Sequence, residues 1–187
     1  MMRWIFLLVL IAGLLGGGYW WWQHGGAQKV AVTTSGNSSI EGVEEAPIVQ
    51  PTPNAAGQAT YTDQTYGFSI TYPSIYKIGR VPSESGEVFI LQNENGVGMQ
   101  LMVSDFDEPV EQLTEARVKQ DLPDMPVTNA REVTLPSGMK ALAFESSGNG
   151  FTHSIEVWFV ARGHLYQASA NSAQIEFLQQ VMGTFTL

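Results

Sequence analysis

The chain has 187 residues, a formal net charge of −9 and no cysteine. Without cysteine it can form no disulfide, thiolate metal site, cysteine nucleophile or lipid-modified cysteine. From residue 60 onward fifteen acidic side chains face seven basic ones with no Lys/Arg stripe, which excludes a nucleic-acid binder or an anionic-lipid binder, since both depend on clustered cations.

Trp4–Trp22 is an uncharged run of nineteen residues, WIFLLVLIAGLLGGGYWWW. As a helix rising ~1.5 Å per residue it reaches about 28 Å, enough for a hydrocarbon core about 30 Å thick. Gly16, Gly17 and Gly18 weaken helix propensity, but inside lipid a backbone has no better way to satisfy itself. Tyr19, Trp20, Trp21 and Trp22 form the aromatic cluster that settles at headgroup level, and Arg3 favours a cytoplasmic amino terminus. The expectation is a single-pass cell-membrane protein with residues 1–3 in the cytoplasm and its carboxy-terminal domain outside it. Gly25-Gly26-Ala27 would suit a signal-peptide cleavage site, but three tryptophans and His24 separate it from the apolar run, and an uncleaved signal anchor is the favoured reading.

Residues 23–59 are rich in Gly, Ser, Thr, Asn, Gln and Pro and show no hydrophobic period, which marks a flexible linker. As a coil of 37 residues it would span roughly 35 Å end to end.

Residues 60–187 are long enough for one domain with its own core. In Tyr66–Pro73, YGFSITYP, Phe68, Ile70 and Tyr72 alternate with Ser69 and Thr71, the pattern of a half-buried strand stopped by proline. Three hairpins follow. Residues 87–92 and 99–104 flank Asn95-Gly96, residues 131–135 and 139–146 flank Pro136-Ser137-Gly138, and residues 151–160 and 165–170 flank Ala161-Arg162-Gly163. A helix is expected from near Asp107, a good N-cap, to Leu122 before Pro123. A second is expected from Asn171 or Ser172 to Gly183, with Ile175, Leu178, Val181 and Met182 on one stripe, followed by a short strand at 184–187. Hairpins with segregated helices give an α+β fold on an antiparallel sheet.

The aromatic-Gly-Phe-Ser-Ile-x-Tyr-Pro strand at Tyr66–Pro73, with this order of hairpins and helices and the Gly183-Thr184-Phe185 ending, resembles the Mog1/PsbP-like superfamily. Among its members the small PsbP-related proteins of bacterial envelopes are most similar. The resemblance covers residues 60–187. It implies an α/β/α sandwich and a non-enzymatic accessory or protein-binding role, and it carries no active-site motif to transfer. Nothing in the sequence signals the photosynthetic partner of the best-known relatives.

Candidate chemistry is sparse. Asp105, Asp107, Glu108 and Glu111 crowd one helix start and could offer oxygens to a weakly held Ca²⁺, although acids there also serve the helix dipole. His153 and His164 share a hairpin but stand too far apart along it to share an ion. No Gly-x-Ser-x-Gly elbow or His-Glu-x-x-His pair is present, and neither enzyme activity nor a cofactor is expected. Trp158 and Tyr166 are core if the sheet is covered on both sides, and a binding surface if one side is open. The expected function is a tethered docking or assembly module for another envelope protein. The alternative is a carrier or sensor of a small molecule or metal ion in the cell envelope.

Cutting the chain before residue 60 should release a soluble folded domain, read by circular dichroism and gel filtration. Aggregation of that fragment would place the boundary elsewhere.

Overall fold

Alternating apolar residues set the architecture. The computed structural model describes residues 50–110, 112–148 and 151–187. The expected membrane helix Trp4–Trp22 and most of the expected linker lie outside the described residues. Among the described residues no helix is long and apolar enough to cross a membrane.

Strands β1 (Gln58–Thr62) and β2 (Ser69–Pro73) form a separate two-stranded antiparallel hairpin. Strands β3 (Lys77–Ser83), β4 (Gly86–Gln92), β5 (Gly98–Asp105), β6 (Thr128–Thr134), β7 (Lys140–Gly148), β8 (Phe151–Ala161) and β9 (His164–Asn171) build a seven-stranded sheet. Its order is β3-β4-β5-β9-β8-β7-β6, antiparallel throughout. Helix α1 (Glu115–Asp121) lies in the connection from β5 to β6, and α2 (Ile175–Met182) follows a 3₁₀ turn, Ser172–Gln174.

The three expected hairpins are all present, with instructive turns. The β4–β5 loop is wider than an Asn-Gly turn. The Asn93 carboxamide accepts from the backbone N–H of Asn95 and Val97 at 2.9 and 3.1 Å, and Gly96 takes a φ of +72°. In β8–β9, Ala161 faces His164 across a two-residue turn in which Arg162 and Gly163 both take positive φ, the type I′ arrangement that matches strand twist. The turn is one residue shorter than the three-residue Ala161-Arg162-Gly163 connection expected, which sets His164 opposite Ala161.

Cross-strand partners share a face. Phe89, Leu101, Ala168, Val157 and Ala143 are successive partners across five strands and make one apolar row. The hairpin β1–β2 covers this face through Phe68, Ile70 and Tyr72, and α2 covers it through Phe177, Leu178, Val181 and Met182. Phe185 closes the core, stacked on Phe68 with ring centroids 5.5 Å apart. The chain end pairs with β2 through a single bridge, Ser69 with Thr186, where a short strand was expected.

The reverse face carries Leu142, Phe144 and Trp158, all buried. The connection from β5 to the far edge strand β6 has to pass β9, β8 and β7. Its buried Leu113, Val118, Leu122 and Val127 supply the apolar cover that these side chains need. The second face is therefore closed over β7 and β8. Nearer the β3 edge it is open enough to leave Val81 43% exposed.

The middle helix is shorter than expected. It starts after Thr114, whose hydroxyl accepts from the Arg117 N–H at 3.2 Å, and not at Asp107. Both residues suit an N-cap. Asp105, Asp107, Glu108 and Glu111 put four carboxylates within seven positions, more than a short helix can offset through its dipole.

Two strands escaped the sequence reading, β1 and β3. The expected domain boundary at residue 60 falls inside β1. Further upstream, the Gln50 carboxamide pairs with both backbone groups of Ile78 on edge strand β3, accepting from its N–H at 3.1 Å and donating to its C=O at 2.6 Å. The opposite edge, β6, breaks register between Thr128 and Arg131, where Asn129 takes a φ of +52°.

Asp63 joins the hairpin to the sheet. It is 2% exposed, and its Oδ1 accepts from the backbone N–H groups of Thr65 and Tyr66 at 2.9 and 2.8 Å. Its Oδ2 accepts from the Tyr61 hydroxyl at 3.0 Å and meets Arg80 of β3 at 3.4 Å. Arg80 also pairs with Glu87 of β4 and lies over the Phe89 ring. Asp63→Ala leaves these donors unpaired and should cost about 2–4 kcal/mol in urea denaturation. A loss under 0.5 kcal/mol would show that the hairpin holds without it.

Candidate functional site

Among the described residues the acidic cluster does not converge. Asp105 ends β5 and faces His164 of β9, with Oδ1 3.3 Å from Nδ1. Glu108 pairs instead with Arg117 at 2.8 Å, and Arg117 also holds Asp121 from the next turn of α1. Asp107 is exposed, and Glu111 lies outside the described residues. Among the described residues no three His, Asp or Glu side chains come together to hold an ion. His153 is exposed on β8, while His164 packs edge-on against Tyr66 at 5.1 Å between centroids.

Trp158 and Tyr166 cannot share a surface. Tyr166 lies opposite Phe159 and Trp158 lies opposite Gln167, so the two aromatics project from opposite faces of the sheet. Both are buried. Tyr166 stacks on Phe159 at 4.9 Å and donates to the Tyr66 carbonyl at 3.4 Å, and burial pushes its hydroxyl up to about 12. The binding surface considered for this pair is thereby corrected: Tyr166 belongs to the main core and Trp158 to the second layer.

Two other features stand out. The first is Glu156, two residues before Trp158 and on the same face, 7% exposed. Its cross-strand neighbours are Phe144 and Ser169. The Trp158 indole N–H donates to its Oε2 at 3.0 Å, and Ser154 hydrogen-bonds it as well. Burial pushes the Glu156 carboxyl up to about 7, against the weaker opposing pull of these two hydrogen bonds. The signal for this site was present in β8, where Ser154 and Glu156 alternate with apolar residues on a strand that could have been half exposed. Only tertiary packing over the second face turns that polar side into a buried one.

The second feature is a shallow groove of about 380 Å³ between α2 and the turn from β2 to β3. Phe177 and Tyr76 stack beside it with centroids 3.8 Å apart and planes 12° from parallel. Pro73, Glu176 and Gln180 complete its walls, and Ile75 stands at its mouth, 67% exposed. No periodicity marks Ile75 in the sequence, because it sits in a turn.

The architecture is α+β on an antiparallel sheet with helices as minor partners. Among solved structures it is similar to the solution structure of cyanobacterial PsbP (CyanoP) from Synechocystis sp. PCC 6803, at 16% sequence identity and a TM-score of 0.49, over 72% of this chain and 94% of that one. No family model and no curated protein matches the sequence. At this level the likeness transfers no residue role and no partner.

The raised Glu156 carboxyl makes stability depend on pH. Folded, it keeps a proton that the unfolded chain releases above its ordinary value of 4.5. Its stabilising contribution is full below that value and is lost as pH rises to about 7, by about 3 kcal/mol in all. Glu156→Gln should therefore match the native chain at pH 4 and exceed it at pH 8 in urea denaturation. Equal stability of the two at both pH values would contradict the assignment.

Proposed function

We propose that the chain is a single-pass, membrane-anchored envelope protein whose PsbP-like domain acts outside the cytoplasm as a non-enzymatic docking or assembly module. The observation that carries this reading is the groove beside α2. Ile75 exposes most of an aliphatic side chain next to an aromatic stack, at a site where Glu176 is the only carboxylate among the described residues. An exposed apolar anchor beside a ready-made groove suits a partner's side chains. The uncharged run Trp4–Trp22 supports the membrane tether, and the acidic composition of residues 60–187 supports a protein partner over nucleic acid or anionic lipid.

A second reading, a carrier or sensor in the cell envelope, draws on Glu156. A buried carboxyl that ionises near neutral pH is an uncommon component of a purely structural layer.

The docking reading is tested with a photo-crosslinking residue placed at Ile75 in the full-length chain, in its own membrane, with Val97 in the β4–β5 loop as an exposed control. A discrete adduct at position 75 and none at 97 is expected. Burying an isoleucine stabilises by about 1.5–3 kcal/mol, so Ile75→Asp should weaken binding of the crosslinked partner about tenfold or more. Identical adducts at both positions, or none at 75, would exclude the groove.

A further inference from the structure

The groove beside α2 offers a partner more than apolar contact. Its apolar side is made by Pro73, the exposed Ile75 and the Tyr76–Phe177 stack. Its polar side is made by Gln174, Glu176 and Gln180, and among the described residues no lysine, arginine or histidine lines it. Glu176 is solvent-exposed and takes part in none of the ion pairs among the described residues. It stands in the first turn of α2, where an acid also suits the helix dipole, but that role leaves its oxygens free to accept. One Gln174 amide N–H donates to the Ala173 carbonyl at 3.2 Å, while the carboxamide oxygen is left to accept. A carboxylate and a carboxamide oxygen side by side call for a group rich in donors. The lysine ammonium and the arginine guanidinium carry three and five N–H donors and no acceptor.

Charge decides among three occupants. Residues 41–49 of this chain bring Glu41, Glu44 and Glu45 along with their aliphatic side chains, which sets like charge against Glu176. A second copy brings a net charge of −9 to a chain of −9. A partner with apolar and cationic side chains is opposite in sign both to the groove and to residues 60–187, where fifteen acidic side chains outnumber seven basic ones. Like charges brought together suppress the first two occupants, and opposite charge steers the third inward.

We propose that the groove takes a polypeptide segment of the docking partner in which an apolar side chain is flanked by lysine or arginine. The apolar group packs against Ile75 and the Tyr76–Phe177 stack, and the cation donates to Glu176 and the Gln174 oxygen. This assignment rests on the docking reading of the same groove. Burial of the apolar side chain holds the segment in place, and the cation sets which segments are accepted and how fast they arrive.

The test uses the ¹⁵N-labelled full-length chain in micelles of an uncharged maltoside detergent. The probes are three blocked hexapeptides: Ser-Leu-Lys-Leu-Lys-Ser and its versions with both lysines replaced by glutamine or by glutamate. Shifts of the Tyr76, Ala173 and Phe177 amides report on the groove. At low salt the lysine peptide should bind there about threefold more tightly than the glutamine peptide, with the glutamate peptide weakest. This preference should vanish in about 0.5 M salt and in Glu176→Gln, and reverse in Glu176→Lys. It should survive in Glu94→Gln, which removes a charge from the exposed β4–β5 loop instead. Equal binding of the lysine and glutamine peptides would overturn the proposal and leave the groove an apolar docking site. A preference lost equally in Glu94→Gln would also overturn it, because the attraction would belong to the whole domain. No shift at these amides with any peptide would overturn the proposal together with the docking reading beneath it.

Discussion

Asp63 is where the β1–β2 turn, Tyr61 and the first strand of the main sheet meet. Its carboxylate organises the turn from β1 to β2, receives the Tyr61 hydroxyl and reaches Arg80 on the first strand of the main sheet. Hydrophobic burial drives the small hairpin onto the sheet, but burial is non-directional. The ion pair fixes where the hairpin lands. From that position Phe68 meets Phe89 edge-on and stacks on Phe185, and the last residues of the chain bridge back to Ser69. The placement of α2, and with it the groove beside Tyr76 and Phe177, follows from a hairpin held in one register.

The two faces of the sheet are covered by different means. One carries a cooperative aromatic core built from the hairpin, α2 and the chain end. The other carries a connection that is mostly irregular, held by four aliphatic side chains and the ion pairs around Arg117. Local stability follows the density of buried apolar contacts, so the second layer is the weaker one. Among the described residues it is also the face that holds the one deeply buried glutamate, Glu156.

Much of this fold was legible in the residues. Alternation in Tyr66–Pro73, Gly-containing turns, and the Leu178–Val181–Met182 stripe fix the second strand, three hairpins and the last helix with little ambiguity. Strand β3 was not legible because Gly79, Arg80 and Pro82 break its pattern: Arg80 lies on the core face but is recruited to Asp63 and Glu87. Strand β1 was hidden because Gln58, Thr60 and Thr62 look like linker, and only Ala59 and Tyr61 turn inward. The middle helix was overextended because Asp107 and Thr114 are equally good caps in isolation. The site was harder still. Trp158 and Tyr166 could be placed on their strands, but their relation across β8 and β9 depended on a turn one residue shorter than expected. Glu156 becomes unusual only once a distant segment buries it, which is a tertiary fact with no local signature.

The carboxamide of Gln50 has a consequence for solubility at high local density. A strand at the end of a sheet exposes unpaired backbone groups that can template another chain. On β3 the outward N–H and C=O of Ile78 are already occupied by a side chain that mimics a peptide unit, and Pro82 has no N–H to offer. On β6 the register break at Thr128–Arg131 twists the other rim out of line. Many copies of such a domain can crowd together without zipping sheet to sheet into fibres, and whatever they bind must approach through faces and loops.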